Sequence, residues 1–250
     1  MLHYGIIGHP VGHSASAAYF TDKFQREGIE ADYQKFDLRP TTFDQRLSTF
    51  DLHAFVADNV LSGLNVTIPH KVAVMPYLDA LAPSAQRVGA VNVISARDGV
   101  LTGHNTDMIG FRDSLAPLLS SRKKAIVLGT GGASKAVEAA LRELDVDYIL
   151  VSRTPQAGQW GYSQITTGII RERQLIINAT PLGMTGDKVD MAPDIPYQAM
   201  TTEHMAFDLV YTPDPTLFMK RAMQHGAQAV SGKQMFLNQA KATWNIWQNQ

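Results

Sequence analysis

Cysteine is absent from all 250 residues, so neither a disulfide nor a cysteine-ligated metal centre can form. The absence is compatible with a reducing compartment. A surplus of charge is missing too. Lys and Arg number 22 against 23 Asp and Glu, which leaves a net charge of −1 and no electrostatic case for nucleic acid or an anionic membrane as partner. No apolar run approaches the about 20 residues that span a bilayer. The opening stretch MLHYGIIGHPVGHS has no basic lead-in and breaks its apolar run at Gly8, His9 and Pro10, so it does not read as a signal peptide. Internal repeats and low-complexity tracts are also lacking. These absences point to a soluble cytoplasmic protein. Its 45% hydrophobic and 18% charged residues are those of an ordinary globular chain, long enough for two modest domains.

Apolar runs of strand length alternate with longer stretches of helical period, the pattern of an α/β protein with mainly parallel sheets. LHYGIIG (2–8), ADYQKFDL (31–38) and GLNV (63–66) read as strands, with a helix over 14–28 that carries Ala17, Phe20 and Phe24. At 120–144 a polar, basic lead-in precedes a buried-type strand, a glycine turn and an alanine-rich helix. DYILVS (147–152), QLIINAT (174–180) and MAFDLVY (205–211) continue the strand series. The segment 233–250 reads as an amphipathic helix with Met235, Phe236, Ala240, Thr243, Trp244 and Trp247 along one side. Gln239 falls on that side as well, so its amide needs partners from the protein, from water or from a ligand.

KKAIVLGTGGAS sets Gly129, Gly131 and Gly132 between a strand and a helix. Glycines there let the backbone turn tightly and approach a pyrophosphate, whose charge meets the N–H groups of the helix start. Ser134 stands where the usual fingerprint has its third glycine. The next strand ends in Ser152, Arg153 and Thr154, with no acid at its tip. A carboxylate would hold a ribose 2′-hydroxyl and repel a 2′-phosphate, whereas a guanidinium can bind the phosphate bidentately, so the preference reads as NADP.

The first half places several polar groups in apolar surroundings. GLNVTIPHK (63–71) runs an apolar strand into Pro69 and puts Lys71 in the first turn of a helix expected to begin at that proline. Desolvation and the positive end of the helix both oppose a cation there, which makes Lys71 a candidate for proton chemistry. Asp107, at the start of a helix in GHNTDMIGF, is the second candidate and suits an N-cap or first-turn role. Ser14 and Ser16 either cap the helix that follows them or face a ligand. Asn92 sits inside the apolar run GAVNVI, where its amide needs partners. His9 and His13 have the spacing of helical metal ligands, but Pro10 and Gly12 between them argue against a helix, so no metal is expected.

In this order, GHPVGHSAS, GLNVTIPHK, GAVNVI, GHNTDMIGF, VLGTGGASKAV, VSRT, INATPLGM, FDLVYTPDPTLF and GKQMFLNQA resemble the shikimate dehydrogenase family over nearly the whole chain. The resemblance implies two α/β domains with a cleft between them. Residues 1–105 with 233–250 would be an N-terminal substrate and catalytic domain, and 106–232 a Rossmann-like dinucleotide-binding domain. It implies NADPH-dependent, reversible reduction of 3-dehydroshikimate to shikimate, a step of aromatic amino-acid synthesis. Lys71 and Asp107 match the catalytic pair, Lys71 stabilising and protonating the developing alkoxide and Asp107 positioning it. Ser14, Ser16, Thr67, Asn92 and Gln239 match residues that bind the substrate carboxylate and hydroxyls, and Tyr211 matches one near the substrate. Gly129, Gly131, Gly132, Ala133 and Ser134 match the pyrophosphate loop. Ser152, Arg153 and Thr154 match the adenosine-phosphate site, and Met184 and Gly232 match the region flanking the nicotinamide. Asn65 is expected to support its loop.

The chain departs from the family's pattern at three places. Ala17 stands where a proline is common. SRTPQA lacks the second basic residue that often follows the arginine, so Arg153 alone is left for a 2′-phosphate and NAD is a possible cofactor. Residues 155–173 give little material for the usual helix between strands. A quinate/shikimate dehydrogenase using NAD is the nearest alternative, and a ligand-sensing homologue without catalysis is an alternative of another class. The expected partner is a small-molecule substrate, with no nucleic acid or membrane, and the chain is expected to act as a monomer or homodimer.

Overall fold

Two six-stranded sheets organise the described residues. The computed structural model describes residues 1–44 and 49–249. Its contacts divide the chain into one unit of Met1–Thr106 with Ala240–Gln250 and a second of Asp107–Gln239.

The first unit carries β1 (Leu2–Gly8), β2 (Ala31–Asp37), β3 (Leu61–Val66), β4 (Ala80–Leu81), β5 (Val93–Arg97) and β6 (Val100–His104), in the order β2-β1-β3-β5-β6-β4. Its helices are α1 (Ala15–Glu27), α2 (Leu52–Asp58), α3 (His70–Ala73) and α4 (Pro83–Val88). Strands β2, β1 and β3 run parallel, as expected. The sheet is mainly parallel, β4 pairing parallel with β6 as well, with one exception: β5 is antiparallel to both β3 and β6. The cause is local. Asp98 and Gly99 form a two-residue turn with φ of 50° and 79°, and the flanking Arg97 and Val100 pair across it. Positive φ at both central residues is the twist-matched hairpin geometry that Asp-Gly favours.

Aromatic rings fill one side of this sheet. Tyr4 stacks on Trp247 at 4.5 Å, Phe20 stacks on Tyr33 at 5.2 Å, and Phe24 and Trp244 close the cluster. Gly63 makes room for Trp247: a Cβ there would collide with the indole, whose nitrogen donates to the Ile94 carbonyl at 3.1 Å. A second core, centred on Leu64, Ile7, Ile94 and Leu101, lies in the same unit.

The second unit carries β7 (Lys124–Leu128), β8 (Asp147–Ser152), β9 (Trp160–Gly161), β10 (Leu175–Asn178), β11 (Met205–Asp208) and β12 (Gln228–Ser231). All its strand pairs are parallel, in the order β12-β11-β10-β7-β8-β9. Chain order reverses between β7 and β10, as in doubly wound dinucleotide-binding sheets. Helices α5 (Asp107–Leu115), α6 (Gly132–Glu143), α7 (Thr167–Glu172) and α8 (Leu217–Gln224) belong here, and α9 (Lys233–Gln248) supplies residues to both units. Strands β10 and β11 are buried along their whole length, which is why they read as continuous apolar runs. The helix read over 233–250 ends at Gln248, and Gln250 lies outside the described residues, as do 45–48.

The expectation of little helical material at 155–173 is corrected in part, because the short helix α7 lies there, between β9 and β10. Residues 153–159 carry no helix, and β9 pairs only with Val151 and Ser152 at the very end of β8. A parallel crossover usually needs a dozen or more residues to return the chain to the strand's start. Here the chain rejoins near the end of β8, so a short turn suffices.

Candidate active site

In the first unit the C-terminal ends of β1 and β3 and the entrance to antiparallel β5 share one end of the sheet. The loops there carry Ser14, Ser16, Thr67, Lys71 and Asn92. Thr67 follows β3, donates its N–H to the Ile7 carbonyl at 2.9 Å and lies against Gly8, where a Cβ would strike its methyl group. Ser14 is the N-cap of α1 and accepts the Ala17 N–H at 3.4 Å, while Ser16 lies in that helix's first turn.

Lys71 is half-buried, and its carbonyl accepts the Val91 N–H at 2.7 Å. The helix around it corrects one expectation. Pro69 is the N-cap and not the first helical residue, and α3 is a single turn, His70–Ala73. So short a helix builds little macrodipole, so the electrostatic case for Lys71 made from a helix start loses its basis. His70 is fully buried and donates from Nε2 to the Leu38 carbonyl at 2.9 Å, which anchors the turn.

Asn92 is buried just ahead of β5. Its Oδ1 accepts the Thr106 N–H at 2.7 Å and its Nδ2 donates to Thr106 Oγ1 at 2.9 Å. Asn65 lies beside it, with Nδ2 donating to the Asn92 carbonyl at 3.2 Å. These amides are held in one orientation by the interior.

In the second unit Asp107 opens α5 and is 6% exposed. Gly110, one turn later, has no room for a side chain, because a Cβ would lie 2.7 Å from the Met235 carbonyl and 2.9 Å from the Gln239 Cβ. That close crossing seats buried Gln239 against the helix that Asp107 begins. Tyr211 stacks on Phe236 at 5.1 Å, and burial, with a smaller contribution from the Asp107 charge, pushes its hydroxyl up to about 12. Asp107, Tyr211 and Gln239 are thus neighbours within this unit. The motif reading did not single out Gly110; only the packing shows why a side chain is excluded there.

The glycine turn lies at the reversal of strand order. Gly129 follows β7 with φ of 108°, and a Cβ there would lie 3.0–3.1 Å from Thr180 and Ala179 in the turn after β10. Gly131 is the N-cap of α6, has open space where a side chain would stand, and makes no side-chain cap. Gly132, Ala133 and Ser134 form the first turn. Ser134 is buried and donates its hydroxyl to the Gly131 carbonyl at 2.7 Å, which shows how a serine fits the third-glycine position. At the end of β8, the Ser152 hydroxyl accepts the Thr154 N–H at 3.2 Å and leaves Arg153 exposed. Met184 is 45% exposed in the loop after β10. Gly232 precedes α9 with its backbone against the Leu209 carbonyl, where no Cβ fits. Among the described residues, no group of three or more acidic or histidine side chains is placed to hold a metal. None of their helices is long and apolar enough to cross a membrane.

The ends of β10 and β11 are joined by a carboxylate that the motif reading passed over. Asp208 is fully buried and accepts from the Thr216 hydroxyl at 2.6 Å, Asn178 Nδ2 at 2.9 Å and the Val210 N–H at 3.0 Å. Asn178 also accepts from Thr180 Oγ1 at 2.6 Å, so the same cluster sets the turn beside Gly129. Burial outweighs these donors and pushes the Asp208 carboxyl up to about 7. An acid closing the apolar run MAFD was the available sequence signal.

Comparison with known proteins adds a second line of observation. Residues 6–94 match the family model for the shikimate dehydrogenase substrate binding domain. The NADP(+)-type shikimate dehydrogenase of Oleidesulfovibrio alaskensis is 38% identical over 98% of this chain and 88% of its own. Shikimate 5-dehydrogenase from Thermus thermophilus, solved with NADP(H) and shikimate, superposes with a TM-score of 0.84 at 31% identity, covering all of this chain and 94% of that one. Quinate dehydrogenase from Corynebacterium glutamicum, solved with NAD, gives 0.83 at 25% identity over the same shares.

Asp208 yields a prediction for stability. Below its ordinary value of 3.8 both the folded and the unfolded chain are protonated there; between 3.8 and about 7 only the folded chain keeps the proton. Stability from this group is therefore full below that window, falls as pH rises through it by about 4 kcal/mol, and levels off above it. Urea unfolding across this pH range should give a distinctly flatter profile for Asp208→Asn than for the wild type. Parallel profiles would remove Asp208 as the titrating group.

Proposed function

Because the chain belongs to the shikimate dehydrogenase family, we propose that it catalyses the reversible, NADPH-dependent reduction of 3-dehydroshikimate to shikimate in aromatic amino-acid synthesis. The observation that carries this reading is the pairing of two devices in one chain. One is a sheet end bearing Ser14, Ser16, Thr67, Lys71 and Asn92; the other is a doubly wound sheet with a glycine turn at its strand-order reversal. The curated relative of the same activity and the neighbour solved with both ligands support it.

The roles follow the chemistry of each group. Lys71 donates a proton to the oxygen of the developing alkoxide and stabilises its charge, and Asp107 is its acid–base partner. Ser14, Ser16, Thr67, Asn92 and Gln239 bind the carboxylate and hydroxyls of the substrate, and Tyr211 lies near it. Residues 1–105 with 233–250 serve as the substrate domain and 106–232 as the cofactor domain. The turn fits a dinucleotide: Gly131 leaves open space, the start of α6 has no side-chain cap, and Ser134 turns its hydroxyl inward. Gly129, Gly131, Gly132, Ala133 and Ser134 would hold the pyrophosphate, Ser152, Arg153 and Thr154 the adenosine 2′-phosphate, and Met184 and Gly232 the nicotinamide side. Bound NADPH supplies the hydride. The enzyme acts on small molecules in the cytoplasm, as a monomer or homodimer, without a nucleic-acid or membrane partner. Its near-balanced charge of 22 basic against 23 acidic residues supports the absence of a polyanionic partner.

Steady-state kinetics with shikimate and quinate, each with NADP and NAD, test the reading. Shikimate with NADP should be the best pair, and a protein that turns over none of the four is a ligand-binding homologue instead. Lys71→Ala should lower kcat by roughly 100-fold or more. Retention of most of the wild-type turnover would remove Lys71 from proton transfer. Arg153→Ala should raise the KM for NADP by about tenfold while sparing NAD, since one charge-assisted contact is lost. Equal effects on both cofactors would contradict the 2′-phosphate role.

A further inference from the structure

Asp208 is a fully buried carboxylate at the end of β11, outside the groups that would touch substrate or cofactor. Each of its three hydrogen-bond donors backs a different segment of the proposed cofactor site. The first path runs through Asn178 at the end of β10. Asp208 Oδ1 accepts from Asn178 Nδ2 at 2.9 Å, and Asn178 Oδ1 accepts the Thr180 N–H at 3.1 Å and the Thr180 hydroxyl at 2.6 Å. The Thr180 oxygen accepts the Leu182 N–H at 3.2 Å, which closes the turn. Gly129 meets that turn directly. Its Cβ would lie 3.0 Å from the Thr180 methyl and 3.1 Å from the Ala179 backbone, and the Ala179 N–H donates to the Leu128 carbonyl at 2.8 Å.

The second path runs through Thr216, whose hydroxyl donates to Asp208 Oδ2 at 2.6 Å and accepts the Met219 N–H at 3.3 Å as the N-cap of α8. Thr216 stands behind Gly183, where a Cβ would lie 3.2 Å from the threonine Cβ. With φ of 92°, Gly183 turns the chain just before Met184. The third path is Val210, whose N–H donates to Asp208 Oδ1 at 3.0 Å and whose carbonyl accepts the Gly232 N–H at 3.4 Å. The Asn178 amide has no second orientation. Its Nδ2 also donates to the Leu182 carbonyl at 3.2 Å, and a flip would set its oxygen against both the carboxylate and that carbonyl.

We propose that Asp208 is a positioning residue for the dinucleotide, holding the turns at Gly129, Gly183 and Gly232 in one arrangement before NADPH binds. It acts through Asn178, Thr216 and Val210 and, being fully buried, does not touch the cofactor. The inference rests on the reading of these turns as the cofactor site. Loops that are already ordered lose less freedom on binding, so the carboxylate contributes to affinity without a contact of its own. An apolar side chain at 208 would leave all three donors without their acceptor.

The test is the equilibrium dissociation constant of NADPH on the full chain, followed by the fluorescence of the nucleotide, with the KM for shikimate and the thermal midpoint measured alongside. Asp208→Ala removes all three acceptors and should weaken NADPH by at least about tenfold while leaving the shikimate KM within about twofold. Asp208→Asn keeps an oxygen for Asn178 and Val210 and should stay within about threefold of the wild type. Thr180→Val changes a half-buried position, keeps the methyl group against Gly129 and removes the hydroxyl that Asn178 holds. It should weaken NADPH about three- to tenfold, the range of one lost hydrogen bond, with an unchanged shikimate KM. An unchanged NADPH constant in Asp208→Ala, an Asp208→Asn protein as impaired as Asp208→Ala, or equal rises in the NADPH constant and the shikimate KM would overturn the proposal. If Asp208→Ala does not unfold cooperatively, Thr180→Val decides, and an unchanged NADPH constant there overturns the positioning role. A wild type that binds no NADPH removes the cofactor reading and the positioning role with it. A wild type that binds NADPH beside silent variants leaves that reading standing and removes only the role of Asp208.

Discussion

In a sheet of parallel strands each strand delivers the loop that follows it to the same edge, and only at that edge can side chains from several strands converge. The second unit uses this without exception: β7, β8, β10 and β11 all run the same way, so Gly129, Ser152, Asn178 and Asp208 end on one side. The first unit reaches the same result with mixed directions. Strands β1 and β3 exit where antiparallel β5 enters, so Thr67 and Lys71 leave the sheet where Asn92 arrives. The direction of β5 is therefore a condition of the site, and the Asp98–Gly99 hairpin is what turns β6 back beside it.

Edges of this kind expose the polar ends of strands, and burying them requires partners. Both units answer with amides and hydroxyls whose donors and acceptors interlock. Asn92 with Thr106, and Asp208 with Asn178 and Thr216, are buried groups whose unmet hydrogen bonds would each cost about 1–3 kcal/mol. Such groups have few alternative arrangements, so the loops they hold are rigid. Close backbone crossings add to this. Gly8 against Thr67, Gly110 against Met235 and Gln239, and Gly232 against Leu209 leave no volume for even one methyl group.

Much of the architecture was legible because its signals are local. LHYGIIG and DYILVS end where β1 and β8 end, and the glycines of LGTGGAS fall between β7 and α6 as their spacing predicts. Lys71 was legible as a chemical candidate, but its setting was misjudged: a proline before a lysine suggests a helix start, and only the structure shows that the helix stops after one turn. The one antiparallel strand of the first sheet, β5, was not singled out although RDGV carries a hairpin signal, because the weight fell on longer apolar runs. The roles of Gly110 and Asp208 depend on partners far away in sequence or on packing, and no spacing rule reveals them.

Direct transfer of hydride between a nicotinamide and the ring carbon of a shikimate-type substrate is the step on which the proposed chemistry stands. It can be followed by incubating the protein with 3-dehydroshikimate and NADPH deuterated at the transferring position, in ordinary water, and locating the label by NMR. Deuterium is expected on the newly formed carbinol carbon of shikimate, and none from solvent when the labels are exchanged. Shikimate without deuterium at that carbon, or no shikimate at all, would contradict direct transfer.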